Sequence, residues 1–206
     1  MIKDSFTLLI ATKNAGKIKE IENLLTDLPV HLQSLDHFSE ITEPEETGAT
    51  FVENAVIKAR SYSLQTGIWA LADDSGLEVE ALNGAPGVLS ARYAGESANG
   101  KERIEKVLKE LNKSPDDNRN ARFVCAMAIA DEKGEIKFTA EGICNGKIAS
   151  TPSGTNGFGY DPIFIPNGFL ETFGELSGDI KQCLSHRAQA TDKIIQYLRH
   201  FYAASG

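Results

Sequence analysis

Residues 68–76, Ile-Trp-Ala-Leu-Ala-Asp73-Asp74-Ser75-Gly76, constrain the fold more than any other stretch of the chain. An apolar run with the character of a buried strand stops at two adjacent carboxylates, a hydroxyl and a glycine. In an open α/β sheet, ligands sit just outside the carboxyl ends of strands. Two acids placed there repel each other and need a metal, a cation or a proton to offset them. Successive strand side chains point to opposite faces. Only one of the pair can therefore face a given site, and the other is left to hydrogen-bond locally. Asp-Asp-Ser-Gly is also good turn chemistry, so on this stretch alone a tight turn and a metal site both fit.

The flanking pattern alternates strands and helices. Residues 6–11 read as a first buried strand, and the polar turn 12–16 leads into a helix with Ile18, Ile21, Leu24 and Leu25 on one face. Residues 30–35 read as a second strand. Thr50-Phe-Val-Glu53 is a capping-box pattern opening a helix that runs to about residue 65, with Gly67 ending it. The strand 68–72 follows, with the acid pair at its end. Residues 83–100, rich in Gly and Ala, read as a long loop, and 101–112 as an amphipathic helix through Ile104, Val107, Leu108 and Leu111. Residues 121–130 and 135–144 flank Asp131-Glu-Lys-Gly134 as a hairpin. A short strand is expected within 161–166. A final helix is expected over about 187–202, with Ile194, Ile195, Leu198, Phe201 and Tyr202 clustered. Early alternation followed by a hairpin specifies an α/β fold on a mixed sheet.

The bulk properties exclude several classes. A length of 206 residues fits a single domain, with room for two lobes. With 41% hydrophobic and 24% charged residues the composition is that of an ordinary globular protein. A net charge of −8 argues against a nucleic-acid polymer as partner. The 3 cysteines, Cys125, Cys144 and Cys183, form no CxxC, so neither a zinc site nor a disulfide framework is implied. Reduced thiols fit the cytoplasm. The opening apolar run is too short for a signal peptide, and no stretch approaches a membrane span.

Five groups of residues could carry chemistry. Ala11-Thr12-Lys13-Asn14-Ala15-Gly16-Lys17 joins a strand to a helix, whose N-terminus offers N–H groups to an anion. Lys13 and Lys17 add charge, yet Ala11 and Ile18 depart from a Walker loop. Solvated lysines on an ordinary turn are the alternative. Lys58 projects from the apolar face formed by Phe51, Ala55 and Tyr62, with Asn54 at its edge. It must be paired, bound to a phosphate, or stretched out to solvent. Glu43-Pro-Glu45-Glu46 precedes that helix and could send a carboxylate to the same place. Gly157-Phe158-Gly159-Tyr160-Asp161 sets two aromatics between glycines, suited to stacking on a base or to filling the core. Ser185-His186-Arg187 opens the last helix. If Ser185 caps it, His186 and Arg187 are exposed first-turn residues, and Arg is poorly placed there unless an anion or carbonyl oxygen lies nearby.

ATKNAGK, EETGATFVENAVIKA, LADDSGL, GFGYDP and SHRAQA stand in one order along the chain. Together they resemble the inosine triphosphate pyrophosphatase family, and Gly84-Ala-Pro-Gly-Val-Leu-Ser-Ala-Arg-Tyr93 fits the same pattern. The match runs from Leu8 to about Leu198. Ser177-Gly-Asp-Ile-Lys181-Gln-Cys-Leu is less charged than the family's usual stretch, although Lys181 keeps its spacing to Ser185. The resemblance implies a two-lobed α/β fold on a long mixed sheet flanked by helices, with the nucleotide in the cleft between lobes. It implies Mg²⁺-dependent hydrolysis of non-standard purine triphosphates (ITP, dITP, XTP) to monophosphate plus pyrophosphate, by a homodimer. By the same resemblance, Thr12, Lys13, Asn14, Ala15, Gly16 and Lys17 hold the triphosphate, with Lys58 nearby. Asp74 is the catalytic carboxylate and a metal ligand, Glu45 a second ligand, and Ser75 a substrate contact. Phe158, Gly159, Tyr160, Asp161, Lys181, His186 and Arg187 frame the base.

The residues themselves support that chemistry. Attack at phosphorus needs neutralised phosphoryl oxygens and an oriented water; Lys13, Lys17 and Lys58 suit the first task and Asp74 the second. Hypoxanthine and xanthine present a 6-oxo acceptor where adenine has an amino donor, which Arg187 could read. Competing readings are a phosphohydrolase with an Asp73 or Asp74 nucleophile, a non-enzymatic nucleotide-binding module, and the same reaction on another modified nucleotide.

Overall fold

The computed structural model describes residues 6–114 and 118–204. In chain order the elements are β1 (Phe6–Ile10), α1 (Ala15–Leu24), β2 (Val30–Ser34), α2 (Phe51–Thr66), β3 (Trp69–Val79) and α3 (Gly100–Leu111). They continue with β4 (Asn120–Ala130), β5 (Ile136–Ile148), β6 (Phe164–Pro166), α4 (Gly178–Leu184) and α5 (His186–Ala204). The strands form one mixed sheet in the order β2-β1-β3-β4-β5-β6. β1 runs parallel to β2, Phe6 facing Val30 through Ile10 facing Ser34, and parallel to β3, Leu8 facing Trp69 through Ile10 facing Leu71. β5 and β6 are antiparallel. The α/β class with a mixed sheet, expected from the pattern of elements, is the one observed.

The chain divides into two compact units, and β3, β4 and β5 each contribute residues to both. The first unit takes the chain up to Asp74, then Cys125–Gly142, then Arg187 onward. Its core joins Leu8 and Ile10 of β1, Ile21 and Leu25 after and along α1, Leu71 of β3, Met127 and Ile129 of β4, and Ile194 and Leu198 of α5. The second unit takes Ser75–Val124 and Ile143–His186. Leu77, Val79, Ile104, Val107, Phe123, Ile148, Phe164 and Phe173 fill its core. Ile194 and Leu198 of α5 are fully buried, Ile195 packs against them, and Phe201 meets Trp69 at 5.0 Å between ring centroids. The Tyr202 side chain lies outside the described residues.

The sequence reading stops the third strand at residue 72, and here the structure corrects it. β3 continues through Asp73, Asp74 and Ser75 to Val79, so the acid pair sits mid-strand and not in a turn. β1 ends opposite Leu71, which leaves the flank of β3 beyond that point without a neighbouring strand. In the second unit the segment after Asn83 covers it: Val79 N–H donates to Ala85 O at 3.1 Å, and Glu78 bridges Pro86. The turn chemistry of Asp-Asp-Ser-Gly is overridden because these residues lie within β3, which has β4 as its neighbour in the sheet.

α2 begins and ends as its sequence dictates. Thr50 Oγ1 accepts from Glu53 N–H while the Glu53 carboxylate accepts from Thr50 N–H. Gly67, at φ 69°, closes the helix in the left-handed region that glycine enters without steric cost. The hairpin strands run longer than the expected 121–130 and 135–144. Their turn is held by the Asp131 carboxylate, which accepts from Lys133 and Glu135 N–H at 3.0 and 2.9 Å.

Because the box at Thr50 anchors the helix that carries Lys58, Thr50→Ala is expected to lower unfolding free energy by about 0.5–2 kcal/mol. A shifted urea midpoint with an unchanged slope is the expected result.

Candidate active site

The two adjacent acids of β3 point to opposite faces, as strand geometry requires, and meet different partners. Asp73, 1% exposed, is the anionic centre of one group. Its Oδ2 accepts from Arg187 Nη2 at 3.0 Å and Nε at 3.3 Å, and Lys17 Nζ lies 3.1 Å away. Arg187 Nη1 donates to Glu20 Oε2 at 2.5 Å. Cys125 Sγ lies 3.9 Å from the same Asp73 oxygen. Asp74 belongs to a second group: Oδ1 accepts from Lys58 Nζ at 2.9 Å and Oδ2 from Asn54 Nδ2 at 3.3 Å. Lys58 Nζ also donates to Glu46 Oε1 at 2.7 Å.

Lys58 therefore does not stretch out to solvent; it is 9% exposed, and α2 delivers its ammonium to carboxylates. Asn54, at the edge of the helix face, lies on the same side at 1% exposure. From the acidic stretch it is Glu46, half-buried, that reaches Lys58, whereas Glu45 is exposed. Neighbouring glutamates in an irregular loop carry no periodicity that would tell them apart. Glu20 was missed by sequence reasoning although a signal existed, since it lies one helical turn from Lys17 on α1.

The titration behaviour follows from this sharing. Burial pushes the Asp73 carboxyl up, but the charges of Lys17, Arg187 and Lys58 outweigh it and hold it well below the usual carboxylate range. Burial raises Asp74, and the opposing Lys58 and Lys17 do not bring it back to the ordinary value. Burial also pulls on Lys58, yet Asp74, Asp73 and Glu46 together hold it above the usual lysine range. One ammonium is shared between two carboxylates, Asp74 and Glu46, with the charge of Asp73 nearby.

The turn after β1 takes a defined form. Asn14 caps α1, its Oδ1 accepting from Gly16 and Lys17 N–H at 3.0 and 3.2 Å, and its own N–H donates to Thr12 Oγ1 at 3.2 Å. Two helix-terminal N–H groups that the sequence offered to an anion are thus capped from within. Lys13 pairs with Glu43 at 3.1 Å on the surface.

In the second unit, the Gly157–Asp161 loop closes around one carboxylate. Asp161, 2% exposed, accepts from Phe158 N–H at 2.7 Å and from Lys181 Nζ at 2.6 Å. Gly157 has φ 72°, and a Cβ there would stand 1.9 Å from Asp161 Oδ2, so only glycine permits this closure. The Lys181 ammonium lies 4.7 Å from the Phe158 ring centroid, within cation–π range. Of the two aromatics, Tyr160 enters the core and Phe158 stays half-buried. α4, which the sequence reading did not assign, supplies Lys181; Ser177 caps it.

His186 and Arg187 are not exposed first-turn residues. They are 5% and 1% exposed. His186 stacks on Phe123 with ring centroids 4.7 Å apart in the second unit. In the first unit Arg187 is held by Asp73 and Glu20, and these carboxylates remove the conflict with the helix dipole that the sequence posed.

Asp73 yields a test with a definite sign. Its folded pKa lies below its unfolded one, so its stabilisation is complete above the unfolded value of about 4 and fades as pH falls through the lower folded value. Asp73→Asn leaves Arg187 buried with one carboxylate fewer, and breaking such a pair costs about 3–5 kcal/mol. That loss is expected in full at neutral pH and should shrink below about pH 4, as read from urea unfolding at several pH values.

Known proteins are similar to this chain in sequence and in fold. The Ham1 family model matches residues 8–197. A dITP/XTP pyrophosphatase of Bacillus cereus is 46% identical over 196 residues, covering 95% of this chain and 96% of its own. One from Coxiella burnetii is 45% identical over 188 residues, covering 91% and 94%. Among solved structures, a HAM1 protein from Coxiella burnetii superposes with TM-score 0.87 at 44% identity, covering 95% of this chain and 99% of that one. A nucleoside-triphosphatase / dITP/XTP pyrophosphatase from Mycobacterium abscessus gives 0.73 at 42% identity, covering 93% and 99%. With the acid pair, the buried lysine and the aromatic loop all inside the matched span, this chain belongs to the Ham1 family.

Proposed function

We propose that the protein hydrolyses non-standard purine nucleoside triphosphates, dITP, ITP and XTP, to the monophosphate and pyrophosphate. The observation that carries this reading is Asp74: a buried carboxylate with a raised pKa, held by Lys58 and Asn54, in a chain similar over nearly its whole length to dITP/XTP pyrophosphatases. A carboxylate with raised pKa is a better proton acceptor for a water attacking phosphorus. Lys58 and Asn54 fix its orientation, and Lys58 and Lys17 bring positive charge for the phosphoryl oxygens.

The residues also suit Mg²⁺. Among the described residues no group of three or more His, Cys, Asp or Glu could hold a metal. Magnesium, however, is commonly held by one or two carboxylates together with waters and substrate phosphates. Two carboxylates, Asp74 and Glu46, converge on the single ammonium of Lys58, which leaves net negative charge in a set of hard oxygen donors. Asp74, with Glu46 or Glu45, would hold the ion, which when bound offsets charge on the phosphates. The same reading takes the enzyme as a cytoplasmic homodimer.

For the base, Lys181 and Asp161 present a donor-rich, buried pair beside the half-buried Phe158 ring. An ammonium only donates, so it suits the 6-oxo acceptor of hypoxanthine or xanthine and not the amino group of adenine. Ser75, Gly159, Tyr160 and His186 complete the assignment in the second unit, while Thr12 to Lys17 serve the phosphates. Arg187, committed to Asp73 and Glu20, contributes by holding Asp73 in place.

The direct test is pyrophosphate release across a nucleotide panel with Mg²⁺, where ITP, dITP and XTP should exceed ATP and GTP. Asp74→Asn should keep the fold and lose about 10²–10⁴-fold in kcat; retention of more than about a tenth of the rate would remove Asp74 from the role of base. Lys58→Met keeps the helix face apolar but strips Asp74 and Glu46 of their shared cation. Its KM should rise and the acid limb of its pH–rate profile should move to higher pH. Unchanged kinetics with lower thermal stability would make Lys58 a structural residue.

A further inference from the structure

In the second unit one side chain stands where three segments meet. Ser90, 6% exposed, lies in the 87–92 turn that follows the cover over β3. Its Oγ accepts from Leu77 N–H at 2.9 Å and donates to Gly87 O at 2.6 Å. Its carbonyl accepts from the Tyr160 hydroxyl at 2.9 Å. Leu77 is two residues beyond Ser75 on β3, and Tyr160 directly precedes Asp161, which holds Phe158 N–H and Lys181. The segment has a firm base: Arg103 Nη1 donates to Ala91 O at 2.5 Å and Lys106 Nζ to Tyr93 O at 2.6 Å, both from α3. Tyr160 is 5% exposed and its phenol is pushed up to about 12 by burial, so it remains a donor.

We infer that Ser90 is a positioning residue for the base: it ties β3 beside Ser75 to the Phe158–Asp161 loop through Tyr160, and so sets affinity for the purine, not the rate of phosphorus chemistry. The inference rests on the base assignment above. The Ser90 partners named above all belong to the second unit, and the Asp74 partners Lys58 and Asn54 to the first. A ligand with a purine should therefore feel the loss of the Ser90 hydroxyl, and a ligand made of phosphates alone should not.

The test uses the full chain, with inosine monophosphate and inorganic pyrophosphate as calorimetric probes and ITP for turnover. Ser90→Ala is expected to weaken inosine monophosphate and raise KM for ITP by about three- to tenfold, the range spanned by one hydrogen bond. Pyrophosphate affinity should stay within about twofold, less than one such bond. Tyr160→Phe removes the other end of the link without touching Leu77 and should weaken inosine monophosphate similarly. The double variant should lose less than the product of the two, because the hydroxyl bonds and the carbonyl bond both act by fixing the backbone of residue 90. Ser90→Thr, which keeps the hydroxyl, should restore affinity. Equal losses for inosine monophosphate and pyrophosphate, a fall in kcat that matches any rise in KM, or no effect of either substitution would overturn the inference. If wild type binds inosine monophosphate and Ser90→Ala weakens it while no nucleotide is turned over, the reaction fails and the positioning role stands.

Discussion

Two carboxylates on neighbouring residues of a buried strand are tolerable only because the strand sends them to opposite faces. Within the first unit, Asp73 is neutralised by Lys17 and Arg187, and Asp74 by Lys58. Each partner arrives from a different element: Lys17 from α1, Lys58 from α2, Arg187 from α5. The strand thus acts as a common anion to which three helices are charge-matched. Burying a carboxylate unpaired is prohibitive, so the placement of these helices is tied to the placement of the acids.

The two acids end in opposite protonation regimes for the same reason. Asp73 meets two cations within about one hydrogen-bond length and becomes a fixed charge. Asp74 shares its one cation with Glu46 and stays easier to protonate. A residue of the first kind suits scaffolding and one of the second kind suits proton transfer. Identical side chains one position apart thus acquire different chemistry from their surroundings.

Much of this was legible in the residue pattern. The strand–helix alternation, the capping box at Thr50 and the anomaly of Lys58 on an apolar face each have a local cause, and each is visible within about one helix or strand length. What could not be read was set by tertiary pairing. The extension of β3 depends on where β1 stops and on the segment near Pro86 that covers its flank. The choice of Glu46 over Glu45 depends on how an irregular loop approaches Lys58. The carboxylate partners of Arg187, Asp73 and Glu20, are 114 and 167 residues away in sequence, so its own helix gives no sign of them. In the aromatic loop, which residue turns inward was also beyond the local pattern: Tyr160 lies in the core and Phe158 is half-buried.

That separation has a consequence for how the protein is made. Neither compact unit is a continuous piece of chain: the first opens at the N-terminus and is completed only by the residues from Arg187 on. A ribosome emits the chain from its N-terminal end, so Asp73 is synthesised, with Lys17 already present, long before the arginine that completes its neutralisation. Until α5 emerges, the nascent first unit also lacks Ile194 and Leu198, two fully buried members of its core. The last helix is therefore the keystone of co-translational assembly, and a chain truncated before it carries both an exposed apolar face and an under-neutralised acid, the combination that holdase chaperones and proteases act upon.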